Sequence, residues 1–247
     1  MKHLASLTLM LVTAAAYSPS TATAVESAGV LGLTVQTPLV PPDPEQVKDP
    51  DDPFWQSVGS QRLTLHRSPA LRAGSSRDQN KRPDAFVQFV QLPQDKVAVR
   101  LAWTDSTDNR PLQGKALRDR GEWHTYKARG HPPDEFADAA CLMVPQARGH
   151  HESYPSLIMG DKDNPVDLYF WKAGKTFEHL TATGRGTSSR DQQQVAGASR
   201  RHKDSWAVVM IVPELTTGTP ISFALWNGQQ KQRDGLKYFS LWYEVQQ

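Results

Sequence analysis

The sequence is short of cysteine, of charge of one sign and of long apolar runs. Its 247 residues include a single Cys and carry a formal net charge of +2. Cys141 alone cannot form an internal disulfide or build a cysteine-ligated zinc or iron–sulfur centre, and it lies in no C-x-x-C-H pattern for covalent haem attachment. Its surroundings, Ala139-Ala-Cys-Leu-Met-Val144, are apolar and suit an inert core thiol. A charge so close to zero is no footprint for nucleic acid. No stretch reaches the 18 or so apolar residues of a membrane helix, so no membrane span is expected. Also missing are G-x-S-x-G, the P-loop, H-E-x-x-H and a dinucleotide fingerprint, so no catalytic site of its own is expected.

What is present is 38% hydrophobic residues, seven Trp and 18 Pro, enough for one sizeable core with many interrupted segments. Residues 1–24 read as a cleavable signal peptide, with Lys2 and His3 before the apolar run Leu4 to Ala16 and Ala22-Thr-Ala24 as the cleavage site. Export follows, with a mature start near Val25. Residues 25–53 are rich in Pro and Asp and read as an extended arm that either wraps a partner or stays mobile. Residues 54–247 form the expected folded domain, with Trp55 as an anchor at its entry.

Within that domain period-two alternation and apolar runs predict a series of short strands. They fall at Gln61–His66, Ala85–Val90, Val97–Trp103, Phe136–Pro145, Val166–Trp171, His179–Gly184, Trp206–Val212 and the hairpin from Ile221 to Val245. Residues 104–135 form a long polar excursion with Trp123 and Tyr126 as its internal contacts, and residues 185–203 a second polar loop. Many short strands without βα alternation predict an all-β fold, an antiparallel β-sandwich with long loops and an extended N-terminal arm.

Candidate site residues are few. His131, His150, His151 and His202 fall in polar loops at spacings that converge on no metal. Arg200-Arg-His-Lys203 reads as a solvated basic face. Met159 precedes Gly160 in a Pro-bounded apolar segment, where a glycine lets a flat cofactor approach the backbone. Lys237 follows the polar loop of the last hairpin; taken alone it reads as an edge charge against aggregation.

Several segments carry a resemblance. Phe136-Ala-Asp-Ala-Ala, Ile158-Met-Gly-Asp161, Pro165-Val-Asp-Leu-Tyr-Phe-Trp171, Ser205-Trp-Ala-Val-Val, Phe223-Ala-Leu-Trp-Asn-Gly, Arg233-Asp-Gly-Leu-Lys237 and Trp242 occur in order. Together, over roughly residues 84 to 245, they resemble the haem-binding gamma subunits of periplasmic DMSO-reductase-family molybdoenzymes, such as ethylbenzene dehydrogenase, dimethylsulfide dehydrogenase, selenate reductase and chlorate reductase. The resemblance implies a β-sandwich with one non-covalent haem b held between Met159 and Lys237, with Met143 and Lys203 as substitutes. Trp226 and Trp242 are then expected to brace the loop that delivers Lys237. It also implies a periplasmic, non-catalytic electron-transfer subunit. Its partners would be a molybdenum-cofactor alpha subunit, an iron–sulfur beta subunit and a soluble cytochrome c. The competing class is a secreted carbohydrate-binding module that stacks sugars on its aromatic rings.

Overall fold

Alternating side chains build two sheets that face one another in a computed structural model, which describes residues 31–38, 42–69, 82–110, 136–175, 177–191 and 193–247. Residues 1–24, read as a signal peptide, and Trp123, Tyr126 and His131 lie outside the described residues. Fourteen short strands are described, in chain order β1 (Leu31–Thr34), β2 (Gln61–Leu63), β3 (His66–Arg67), β4 (Ala85–Leu92), β5 (Lys96–Thr104), β6 (Ala139–Pro145) and β7 (Val166–Lys172), then β8 (Glu178–Ala182), β9 (Ser189–Arg190), β10 (Ala196–Arg201), β11 (Ser205–Pro213), β12 (Pro220–Trp226), β13 (Tyr238–Phe239) and β14 (Tyr243–Gln246). Among the described residues helix is confined to one turn of α-helix, Pro44–Val47, and a 3-10 turn, Pro53–Ser57. The all-β sandwich read from the sequence is the fold observed.

The smaller sheet runs β10-β11-β5-β4-β2, and the larger runs β1-β14-β12-β6-β7-β8-β9 with β13 and β3 attached beside β12. Every pairing between these strands is antiparallel except β1 with β14. The β4–β5 hairpin turns through Gln94 and Asp95, whose φ of 61° and 53° match the right-handed twist of the strands it joins. Between the sheets lies one apolar core, to which β6 contributes Ala140, Leu142 and Val144, β12 Ile221, Phe223 and Leu225, and β7 Tyr169 and Trp171.

Three segments differ from the sequence reading. Residues 31–38 and 42–53, within the stretch read as an extended arm, pack on the chain's own sandwich. β1 joins the sheet edge beside β14, and Leu33, Val35 and Val47 are buried. The Pro and Asp residues that looked like linker chemistry cap short turns: Asp43 and Asp52 each accept a backbone N–H two residues on. The polar loop 185–203 contains β9 and β10, and β10 pairs along its whole length with β11. The last strand is broken at Ser240–Trp242, so that β13 and β14 both pair with β12 but at opposite ends.

The basic run beside β10 is paired within the chain. Arg200 meets Asp49 at 3.1 Å and His202 meets Asp51 at 3.0 Å.

Asp138, fully buried at the entry to β6, links the sheets. Its Oδ2 accepts from the Asn109 N–H at 2.8 Å and from Trp206 Nε1 of the smaller sheet at 3.1 Å; its Oδ1 accepts from the Gly228 N–H at 2.9 Å. Burial dominates over these three donors, and together with the nearby Asp105 it raises the pKa to about 6.

Two predictions follow from this packing. Phe223→Ala, which empties a fully enclosed site in the main core, lowers unfolding free energy by about 3–5 kcal/mol in urea titration. The raised pKa of Asp138 means the folded chain holds this proton more tightly than the unfolded chain does. Its contribution to stability is therefore complete below the unfolded value near 3.8 and is lost as pH rises through about 6. The stability difference between the wild-type chain and Asp138→Asn thus shifts in favour of the variant between pH 4 and 7. A pH-independent difference would contradict this.

Candidate functional site

β6 is buried at all seven positions, so it is covered on both faces. The inward residues meet the main core. The outward ones, Cys141 and Met143, join a second apolar cluster with Leu168 of β7, Ala182 of β8, Ala224 of β12 and Trp242. Among the described residues no second sheet lies on this side. Its cover comes from two irregular segments, residues 154–161 and the stretch from Trp226 to Trp242, through Tyr154, Leu157, Met159 and Trp226 packed against the cluster. The outer face of the larger sheet is thus an apolar floor roofed by loops.

The first roof segment carries Met159 in a tight turn. Its φ of 69° lies in the left-handed region, as does the 74° of Gly160. A methionine there is held against its intrinsic preference by roughly 1 kcal/mol. Gly160 is required twice over, by that φ and because a Cβ would stand 2.7 Å from the Asn164 carbonyl oxygen. Asp161 clamps the turn: its carboxylate accepts from the backbone N–H groups of Ser156, Asp163 and Asn164 and from the Asn164 side-chain amide. The Asn164 amide, first among these donors, holds the Asp161 pKa below the usual carboxylate range. The Met159 carbonyl accepts from Gly184 N–H at 2.9 Å, tying the turn to the end of β8. Met-Gly-Asp is therefore a built turn, and its product is the placement of one thioether.

Lys237 closes the second segment. Its backbone N–H donates to Ser68 Oγ at 2.7 Å and its carbonyl accepts from Ser68 N–H at 2.9 Å, fixing the start of β13 against the end of β3. The side chain turns onto the apolar face, with Nζ 5.1 Å from the centroid of the Trp226 ring. Trp226 is itself fixed by Nε1 donating to the Asp234 carbonyl at 3.0 Å and by edge-on contact with Phe170 at 5.6 Å. Burial lowers the Lys237 pKa, and the electrostatic influence that opposes this comes from Cys141. The Cys141 thiol is pushed up to about 12 by its own burial, so it offers the amine no charge at neutral pH.

The structure therefore brings Met159 and Lys237 to one apolar face, with Met143 on the same face through β6. Lys203 is exposed in the turn between β10 and β11, on the other sheet. Trp226 braces Lys237 as expected. Trp242 instead donates Nε1 to the Pro155 carbonyl at 3.0 Å and so braces the Met159 segment. The sequence reading missed the breadth of the apolar floor; its signal was the unbroken apolar run Ala139–Pro145 where a one-sided strand would alternate. It also missed His179, buried against Tyr169 and flanked by Asp191 at 3.1 Å and Asp167 at 3.4 Å. Among the described residues no group of three or more His, Cys, Asp or Glu is arranged to hold a metal ion, and no helix is long and apolar enough to cross a membrane.

No protein-family model matches the chain. Individual relatives do. Over 228 residues it is 26% identical to a candidate respiratory nitrate reductase heme subunit, ORF7, of Haloferax mediterranei, spanning 85% of this chain and 71% of that protein. Over 215 residues it is 30% identical to the dimethylsulfide dehydrogenase gamma subunit of Rhodovulum sulfidophilum, spanning 78% of this chain and 72% of that one. Over 163 residues it is 31% identical to the chlorate reductase gamma subunit of Ideonella dechloratans, spanning 61% and 59%. Identity of this level over most of both chains places the protein with those subunits: it belongs to the family of gamma subunits of DMSO-reductase-family enzymes.

Proposed function

We propose that this chain is an electron-transfer subunit that binds one b-type haem on the outer face of the larger sheet, with Met159 and Lys237 as the axial ligands. The observation that carries the proposal is the pairing of two electron-pair donors at one apolar face. One is a thioether set by a left-handed turn; the other is an amine whose burial favours its neutral form. A flat apolar macrocycle suits such a floor, and the single buried Cys141 leaves non-covalent binding as the mode of attachment. When bound, the haem supplies a one-electron carrier whose potential a neutral thioether ligand raises.

The chain's own residues have definite tasks in this reading. Lys237 must hold a free electron pair at Nζ, and burial lowers the proton affinity that competes for it. Gly160 and Asp161 keep Met159 in the conformation that presents its sulfur. With both Met159 and Lys237 engaged on the haem, no position would be left for a substrate, and the chain would have an electron-carrying role and no catalytic one. Its partners are a molybdenum-cofactor alpha subunit and an iron–sulfur beta subunit, and it exchanges electrons with a soluble cytochrome c in the periplasm. The names of the relatives, subunits of a dehydrogenase and of reductases, support the assembly.

The described tryptophans give the carbohydrate-binding reading no support. Trp55, Trp103, Trp171, Trp206 and Trp242 are buried, and the Trp226 ring faces Lys237. Sugar stacking needs an open ring face.

Two measurements test the assignment. Chain expressed with ample haem is red, with a Soret band and a low-spin six-coordinate spectrum, and Lys237→Ala and Met159→Ala each convert it to a high-spin or differently ligated form. Colourless wild-type chain, or a spectrum indifferent to both changes, contradicts the proposal. Separately, Met159→Gly relieves the left-handed backbone at the cost of some apolar contact. The haem-free variant therefore unfolds within about 1 kcal/mol of wild type, while the same variant loaded with haem loses the low-spin spectrum.

A further inference from the structure

The 227–236 loop, which separates Trp226 from Lys237, is anchored at its start by two buried carboxylates that lie apart from the apolar face. Asp138 accepts the Gly228 N–H at 2.9 Å, and Asp105 accepts the Asn227 side-chain amide at 3.1 Å. Asp138 is held in turn at the entry of β6. Its N–H donates to the Asn109 carbonyl at 2.9 Å, its own carbonyl accepts from Ala173 N–H at 2.8 Å, and its Oδ2 takes the Asn109 and Trp206 donors. Gly228 has no room to move towards this support or to carry a side chain: a Cβ there would stand 2.4 Å from Asn109 Cβ and 2.9 Å from the Phe136 carbonyl oxygen.

Beyond this anchor the loop is knotted on itself. Gln232, buried, accepts the Asn227 N–H through Oε1, Lys231 N–H donates to the Gly228 carbonyl, and Tyr238 donates to Gln230 Oε1. Trp226 immediately precedes the anchor and lies opposite Ala139, the residue after Asp138, in the β12–β6 register. The loop is held at its start by Asp138 and Asp105, through its middle by Trp226 Nε1 on the Asp234 carbonyl, and at its end by Ser68 on the Lys237 backbone. The Asp138–Gly228 contact is thus one of the points that fix the Trp226 ring relative to the Lys237 amine.

We propose that Asp138 is a positioning residue for Lys237: by fixing Gly228 against the entry of β6 it sets the Trp226 ring and the place of the Lys237 amine above the apolar face. This inference rests on the reading of Lys237 as an iron ligand for its functional meaning, while its geometric content concerns this chain alone. Asn cannot replace Asp here, because its single acceptor oxygen serves Oδ1 or Oδ2 but leaves an N–H₂ facing a donor at the other.

The test uses the full chain and two readouts. In haem-free protein, acetylation of Lys237 by acetic anhydride is followed by mass spectrometry, with exposed Lys203 as internal reference. Asp138→Asn, and Asp138→Ala where it folds, accelerate Lys237 labelling severalfold. Trp206→Phe, which removes the sheet-bridging donor to Asp138 and trims a buried ring against Trp171 but leaves the Asp138–Gly228 contact in place, leaves it at the wild-type rate. In haem-loaded protein the Asp138 variants show a high-spin fraction that is absent from wild type, and adding Asp138→Asn to Lys237→Ala leaves the Lys237→Ala spectrum unchanged. Unchanged Lys237 labelling in Asp138→Asn overturns the proposal. Equal acceleration by Trp206→Phe overturns it too, because Asp138 would then act only through general stability. A haem spectrum indifferent to Lys237→Ala overturns the ligand assignment, and the labelling result still decides whether Asp138 places the amine.

Discussion

An apolar sheet face that, among the described residues, is covered by loops and not by a second sheet is the constraint on which the rest of this structure depends. β6 is buried on both sides, and the cost of leaving Cys141, Met143 and their neighbours in water is avoided by drawing two irregular segments over them. Both roofs are held by polar contacts: Asp161 and Trp242 on the backbone of the Met159 segment, Asp138 and Ser68 on the backbone of the Lys237 segment, and Asp105 on its Asn227 side-chain amide. The apolar floor provides the place, and the polar clamps provide the aim. This division explains why the ligand candidates stand on loops although the floor is built from strands.

The two donors are stabilised in different ways. Met159 is a conformational matter: a non-glycine residue at φ 69° stays there because Gly160, Asp161 and the Gly184 N–H over-determine the turn. Lys237 is an electrostatic matter: its amine is buried beside an aromatic ring and a thiol that stays neutral, so its proton is held less firmly than in water. A cation–π contact with Trp226 favours the charged form and partly offsets the burial.

Much of this was legible in the sequence, and the limits have physical causes. The strands with clear alternation or long apolar runs, β4 to β7, β11 and β12, were readable because burial on one or both faces writes a pattern. β1, β9 and β10 were not, because short edge strands of polar or small residues bury little and resemble loops; Ala196-Gly-Ala-Ser-Arg-Arg201 pairs through its backbone, which every sequence possesses. Met159 and Lys237 stood out from the ordered motifs around them. Asp138 looked like the entry to a strand, since its three donors come from residues 29, 68 and 90 positions away. The short Pro-Asp turns of residues 42–53 read as linker because turn chemistry is local, whereas the burial of Val47 and Trp55 is tertiary.

The central claim is that one thioether and one lysine amine of this chain meet a single iron. Iron K-edge X-ray absorption of the haem-loaded chain addresses it directly. The account predicts one sulfur and five nitrogen scatterers around iron, with the sulfur lost in Met159→Ala. Six nitrogens in the wild-type chain, or a sulfur that survives that substitution, would contradict it.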